Sequence, residues 1–130
     1  MPLSTEWEFC QDYIYLMGQR FNGLFPVQNN LNPELAEQYF IPPASVQTLL
    51  ENITKHNVAL PQNPVHTEIR IADDYLIMSN EYQPKAQVQD STGTGLHNLA
   101  ARIALLTDKK LEYEVQNGHF IVRLPLVKQI

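Results

Sequence analysis

Residues 90–106, "DSTGTGLHNLAARIALL", decide how the rest of the chain is read. Gly93 and Gly95 flank Thr94, and an amphipathic pattern begins at once, in a chain with only five glycines. An ordinary helix start needs no more than one Ser, Thr or Asp cap. A phosphate site asks for more: free backbone N–H groups, no side chains in the way, and the positive end of a helix dipole. Gly93, Thr94 and Gly95 meet that need by offering their N–H groups to an anion. A lone Gly-x-Gly is also common in plain loops, so neighbouring elements must supply the rest of the case.

From Gly95 onward, Leu96, Leu99, Ala100, Ile103 and Leu106 recur at helical spacing. Before it, residues 82–94 show no periodicity, and a loop of that length in a compact domain tends to be functional. Further upstream, Val65, Thr67, Ile69 and Ile71 alternate with His66, Glu68 and Arg70, the pattern of a half-buried strand. Asp73-Asp74 turns the chain, and Tyr75 to Asn80 returns as the hairpin partner. Downstream, Leu111, Tyr113 and Val115 are expected to face the core. Asn117-Gly118 supplies a type I′ turn, after which Phe120, Val122, Leu124 and Leu126 face back.

Toward the N-terminus, Pro42-Pro43 opens a helix whose Val46, Leu49, Leu50 and Ile53 form a clean buried stripe. Residues 21–42 are weakly patterned; Phe21, Gly23, Phe25 and Val27 alternate, and Pro26 confines that strand to an edge. Thr5 with Glu8 reads as a capping box for a first helix running to about Gly18. Its broad apolar arc includes Trp7, Phe9, Cys10, Tyr13, Ile14, Leu16 and Met17. That arc either packs on the chain's own core or partly meets a helix from another chain or segment. Antiparallel strands with helices gathered on one face predict a two-layer α+β sandwich with a mixed, mostly antiparallel sheet.

The totals narrow the function. With 130 residues and 44% hydrophobic content, one domain with an ordinary core is expected. A net charge of −5 without a basic stripe argues against nucleic acid. No apolar run reaches the roughly 20 residues of a membrane span. A single cysteine, Cys10, excludes an internal disulfide and a multi-cysteine zinc site, and a cytosolic setting is the default. Met1-Pro2-Leu3 leads almost directly into helical pattern, an arrangement that a piece of a longer protein would also show.

Opposite the apolar stripe of the second helix lie Thr48, Glu51, Asn52, Lys55 and His56. An amide oxygen suits Mg²⁺, and a lysine with a histidine beside it suits phosphate oxygens. A solvated polar face is the plainer reading of the same residues. Asn80 ends a strand whose buried face includes Leu76 and Met78, so its amide must find partners there. It either meets the edge of a purine or bonds its own backbone at the start of a loop.

Together these stretches resemble a known family. "IPPASVQTLLENITKHN" is similar to the N box of the GHKL ATPases as seen in LytS-like sensor histidine kinases. "STGTGLHNLAARIALL" is similar to the second glycine box of that family, and "HFIVRLPL" to its last strand. "TEWEFCQDYIYLMGQRF" is similar to the helix that joins the phosphoacceptor region to the ATPase domain. The resemblance implies a Bergerat-fold ATP-binding catalytic domain at 21–130, preceded by a linking helix at 1–20. It implies ATP and Mg²⁺ as ligands, with Asn52 on the metal. Lys55 and His56 would approach the phosphates or ribose, and Thr48 would line the pocket. Gly93, Thr94, Gly95 and Leu96 would form the end of the ATP lid. Glu51 and Lys55 would act in catalysis, Glu51 by polarising the attacking group. The partners implied are a phosphoacceptor histidine segment, a response regulator and a second copy paired through helix 5–18. The setting implied is a cytoplasmic domain of a membrane-anchored parent in a two-component phosphorelay.

Two departures accompany the likeness. Where the family carries Asp-x-Gly-x-Gly, this chain has "NEYQPK", with Asn80 at the Asp position and no glycine. Asn80 can still accept from an adenine amine, through an uncharged oxygen. The family's phosphoacceptor segment, similar to "NPHFLFNSLN", has no counterpart around His56, His66, His97 or His119. Two other classes therefore stay open: a degenerate GHKL domain acting as a non-catalytic dimerisation or regulatory module, and an unrelated α+β enzyme or protein-interaction domain.

Overall fold

A computed structural model of the chain describes residues 1–86 and 94–128. In chain order the elements are α1 (Leu3–Arg20), β1 (Val27–Asn29), α2 (Pro33–Gln38), β2 (Tyr39–Phe40), α3 (Ser45–His56), β3 (Thr67–Ala72), β4 (Tyr75–Glu81), α4 (Thr94–Ala104), β5 (Glu112–Gln116), β6 (His119–Pro125) and β7 (Val127–Lys128). Five strands form one sheet in the order β1-β3-β4-β6-β5. Strand β1 runs parallel to β3, and the remaining pairs are antiparallel. The two-layer α+β architecture expected from the pattern is therefore the one observed.

Both tight hairpins follow from local chemistry. Asp73 and Asp74 adopt φ of 53° and 63°, and Asn117 and Gly118 adopt 53° and 77°. Two consecutive positive φ values make the turn whose twist matches the flanking strands. The Asp73-Asp74 turn puts Ile69 opposite Met78 and Ile71 opposite Leu76. The Asn117-Gly118 turn joins β5 to β6, whose Val122 and Leu124 lie opposite Met78 and Leu76 on β4. The apolar members share one face, where Ile69, Leu76, Met78, Val122 and Leu124 are buried. Glu68 and Arg70 point the other way, to solvent.

Helices α1, α3 and α4 cover the apolar face. Val46, Leu49, Leu50 and Ile53 of α3 are buried, as are Leu96, Leu99 and Ile103 of α4. From α1, Leu3, Cys10 and Met17 enter the same core. Burial pushes the Cys10 thiol up to about 12, so it stays protonated and behaves as a small apolar group. On the outer side of α1, Phe9, Tyr15 and Leu16 are exposed.

The capping box does not form. Helix α1 starts at Leu3, its N-cap is Pro2 without a side-chain cap, and it runs to Arg20 rather than stopping near Gly18. Residues 21–42 hold more order than their pattern suggests. Here β1 starts only at Val27, immediately after Pro26, and is an edge strand. Asn32 caps the short α2 through bonds from Glu34 N and Leu35 N, and β2 pairs with β7 in a separate two-stranded sheet. Helix α4 begins at Thr94, one residue ahead of Gly95. The largest correction concerns β5: every residue of it is exposed, Tyr113 and Val115 included. These two side chains do lie on the helix side, opposite Val122 and Phe120. No element covers them among the described residues, because β5 is the sheet's outer edge.

Glu6 ties the helical layer together. It is 3% exposed, on the inner face of α1. Its carboxylate accepts from Ser45 N at 3.2 Å, from Gln47 N at 3.3 Å, and from Val46 N in a short bond. These are first-turn N–H groups of α3, which no side chain of α3 caps. Burial pushes the Glu6 carboxyl above the usual range, while the three amides pull it back. Replacing Glu6 by Ala leaves Val46 N and Gln47 N without that acceptor, while Ser45 N keeps a bond to Pro42 O at 3.2 Å, and should cost about 2 kcal/mol. Urea denaturation followed by circular dichroism reads the loss; an unchanged midpoint would contradict this role.

Candidate functional site

Between α3, the sheet and the start of α4 lies a cavity of about 310 Å³. That is within the roughly 300–1,000 Å³ of small-molecule sites. Its walls are mostly apolar and include Leu49, Met78, Leu96 and Val122. The polar groups converging on it are Asn52, His56, Asn57 and Asn80. A few placed polar groups in an apolar cleft are the usual make-up of a ligand site.

Helical spacing brings Asn52 and His56 to the cavity together. They sit four residues apart on α3, on the side next to the buried stripe, and both are half-buried. Among the described residues the Nδ1 atom of His56, which is buried, has no hydrogen-bond partner. Burial is the largest influence on this imidazole, followed by the charges of Lys55 and Lys85, and all three lower its pKa. Such a group is neutral at pH 7 and has a nitrogen to spare for a ligand.

Asn80 arrives from the end of β4 and is 2% exposed. Its Nδ2 donates to the backbone carbonyl of Glu81 at 2.8 Å. That bond fixes which way the carboxamide points, because the reversed amide would set two oxygens against each other. Among the described residues the amide oxygen takes no donor, so it is available as an acceptor, and one N–H of Nδ2 also stays available. In cross-strand register with Asn80 is Thr67, whose buried hydroxyl has no partner among the described residues.

The remaining sequence-designated residues are placed differently. Thr48 gives its hydroxyl to Ala44 O at 2.8 Å and does not line the cavity. Instead its Cγ2 lies 3.4 Å from where a Cβ on Gly95 would be. Helix α3 and the start of α4 therefore meet at Thr48 and Gly95. Glu51 is exposed and accepts from Gln47 Nε2 at 2.9 Å, and Lys55 is exposed near the cavity rather than in its wall. Leu96 lines the cavity. Gly93 and the side chain of Thr94 lie outside the described residues.

Sequence pattern alone does not point to two other contributors. Asn57 caps the end of α3, its Nδ2 donating to Ile53 O at 3.0 Å while its Oδ1 accepts from Gln83 N at 2.8 Å. An aromatic wall closes the cavity on the β5 side. Tyr82 stacks on Phe120 with centroids 6.4 Å apart, and Tyr113 tilts against Phe120 at 5.9 Å. The alternation of Tyr113 and Phe120 is visible in sequence, but it has the form of a core pattern.

No family model matches the chain. Sensor protein LytS of Bacillus subtilis (strain 168) is 27% identical over 119 aligned residues, covering 79% of this chain and 20% of that protein. The chain is similar to part of a sensor histidine kinase. It spans only a fifth of that relative's length. Acinetobacter baumannii histidine kinase AdeS superposes with a TM-score of 0.47 at 16% identity, over 88% of this chain and 64% of that one. The likeness to LytS agrees with the resemblance carried by the N box and second glycine box. Among the described residues, no helix is long and apolar enough to cross a membrane.

Two expectations follow from this geometry. The His56 imidazole should titrate below the ordinary 6.5 in an NMR pH series. As pH falls through 6.5 the unfolded chain takes this proton first, so the contribution of His56 to stability declines and levels off below its folded pKa. A midpoint at or above 6.5 would show that the ring is not desolvated. At Gly95, φ lies outside the left-handed range, so Ala should be tolerated. The branched side chain introduced by Gly95→Val would press on Thr48 and part α3 from α4, lowering Tm more than Gly95→Ala does; equal Tm values would contradict the close approach.

Proposed function

We propose that this chain is the ATP-binding catalytic domain of a sensor histidine kinase of the GHKL (Bergerat-fold) type. It would transfer the γ-phosphoryl group of Mg·ATP to a histidine outside this chain, from which a response regulator would receive it. One observation carries the reading: Asn52 of α3, Asn80 of β4 and Leu96 of α4 line a single cavity. The similarity to Sensor protein LytS supports the same class.

The residues present fit the ligands. Asn52 offers a neutral oxygen donor of the kind Mg²⁺ accepts while keeping most of its waters. His56 offers a buried nitrogen that has no partner among the described residues. When bound, Mg²⁺ supplies neutralisation of the phosphate charge. Phosphoryl transfer needs little covalent help from protein, so the work of this chain is positioning and charge balance. Asn52 would hold the metal and thereby the phosphate chain. Lys55, just outside the cavity, would meet phosphate oxygens as a point charge. Backbone N–H groups at the start of α4 would face the phosphates, with the helix dipole adding to the attraction. Glu51 would polarise the incoming imidazole. Its exposed position leaves it open to a group approaching from another segment.

The base would enter the apolar part, against Met78, Leu96 and Val122. There the Asn80 oxygen, whose amide is oriented by the bond to Glu81 O, would accept a hydrogen bond from the base. It therefore favours a base with an exocyclic amine over one with a keto group. Removing the matched donor strands a desolvated acceptor, which costs about 1–3 kcal/mol.

Titration calorimetry tests the reading. Mg·ATP should bind, and Asn52→Ala or removal of Mg²⁺ by EDTA should weaken it tenfold or more. Inosine triphosphate, which carries a keto group in place of the amine, should bind about tenfold more weakly than ATP. No binding at millimolar Mg·ATP would overturn the kinase reading and leave the non-catalytic module. Equal affinity for the two nucleotides would refute the role of Asn80.

A further inference from the structure

Residues 82–85 stand where the resembling family carries glycines, and here they are laced to the end of α3. Val58 N donates to Gln83 O at 2.8 Å, and Lys85 N donates to His56 O at 3.0 Å. Gln83 adds two side-chain-assisted bonds, from its N to Asn57 Oδ1 and from its Nε2 to Val58 O, each 2.8 Å. Asn57 and Pro84 face each other across this short ladder. The ladder holds the Lys85 backbone beside His56 whatever its side chain does.

Lys85 thereby follows the cavity-lining Pro84 and joins Lys55 near the end of α3, both lysines lying outside the cavity wall itself. Both charges are felt by His56, which they make a weaker base. Neither lysine forms an ion pair among the described residues, where the pairs found involve His66, Arg70, Lys109 and Arg123. In a chain of net charge −5, two such cations near the end of one helix run against the overall balance. A cation near the end of α3 also answers the helix dipole, but Lys55 already occupies its last turn. Lys85 brings a second charge from a different segment, its backbone bonded to that of His56, whose buried Nδ1 has no partner among the described residues. Two cations near one end of the cavity suit the oxygens of a phosphate chain.

We propose that Lys85, held by the 82–85 ladder against the end of α3, is a second phosphate-binding cation of the nucleotide site, acting beside Lys55 and His56. This inference rests on the nucleotide reading above. It gives the glycine-free segment a role: a side-chain charge stands in for the backbone N–H groups of a glycine turn.

The test uses the full chain and the Lys85→Met variant, which keeps the backbone N–H and so the ladder. Mg·ATP and adenosine are each titrated by calorimetry at two salt concentrations. Lys85→Met should weaken Mg·ATP about tenfold, leave adenosine unchanged and flatten the salt dependence. Lys85→Arg should restore most of the affinity. In the ligand-free protein, Lys85→Met should also raise the His56 pKa, since a like charge has gone. Equal Mg·ATP binding by wild type and Lys85→Met would overturn the inference and leave the nucleotide reading standing. Parallel weakening of ATP and adenosine would also overturn it, by showing a structural role only. A wild-type chain that binds neither ligand would overturn the nucleotide reading itself, and this inference with it.

Discussion

The buried carboxylate of Glu6 fixes the geometry on which the cavity depends. No side chain caps the first turn of α3 from its own N-cap, where Ala44 sits in a left-handed conformation with φ of 66°, and three N–H groups there donate to Glu6. Their partner comes from 39 to 41 residues away in sequence, on α1. A negative group at a helix N-terminus gains from the dipole as well as from the bonds, which offsets part of the cost of burying it. The contact sets where α3 lies against α1. Because Asn52 and His56 ride on α3, it also sets where the polar side of the cavity lies. A second tie runs from Arg102 Nη1 of α4 to Pro43 O, just ahead of α3, at 2.8 Å. The two helices that frame the cavity are thus anchored near the same point.

At its other end α3 is held by the segment that follows β4. Asn57 closes the helix and receives Gln83 N, so the loop becomes a short extension of the structure rather than a free turn. Tyr82 N also donates to Gly118 O at 2.9 Å, tying the segment to the β5–β6 hairpin. A glycine turn would bring bare backbone toward a ligand. This segment brings side chains instead, with Tyr82 on the aromatic wall and the Lys85 backbone bonded to His56 O. The polar inventory of the cavity follows from that exchange.

Much of the fold was legible because its signals are local. The Asp73-Asp74 and Asn117-Gly118 turns, the alternation through β3 and β4, and the stripes of α3 and α4 each depend on a few adjacent residues. The site was legible in part. Asn52 and His56 share a helix face by spacing, and Asn80 ends a strand. The misses have physical causes. Tyr113 and Val115 alternate as core residues do, yet whether a helix lies over them depends on where the helical layer ends. The Thr5–Glu8 pattern fits a capping box, but Pro2 starts the helix earlier and Glu6 is drawn inward to α3. The order in residues 21–42 rests on pairing with β3 and β7, partners that lie far along the chain.

What the sequence by itself determined is therefore the set of elements, their apolar faces and the residue types available for a ligand. Periodicity and turn chemistry act over a few residues and need no tertiary partner to be read. Only the tertiary structure decided which polar groups share a cavity, which way the Asn80 amide points, and that Lys85 stands beside His56. Those outcomes depend on hydrogen bonds between segments distant in the chain, and on a carboxylate whose protein partners appear only once α1 and α3 have packed.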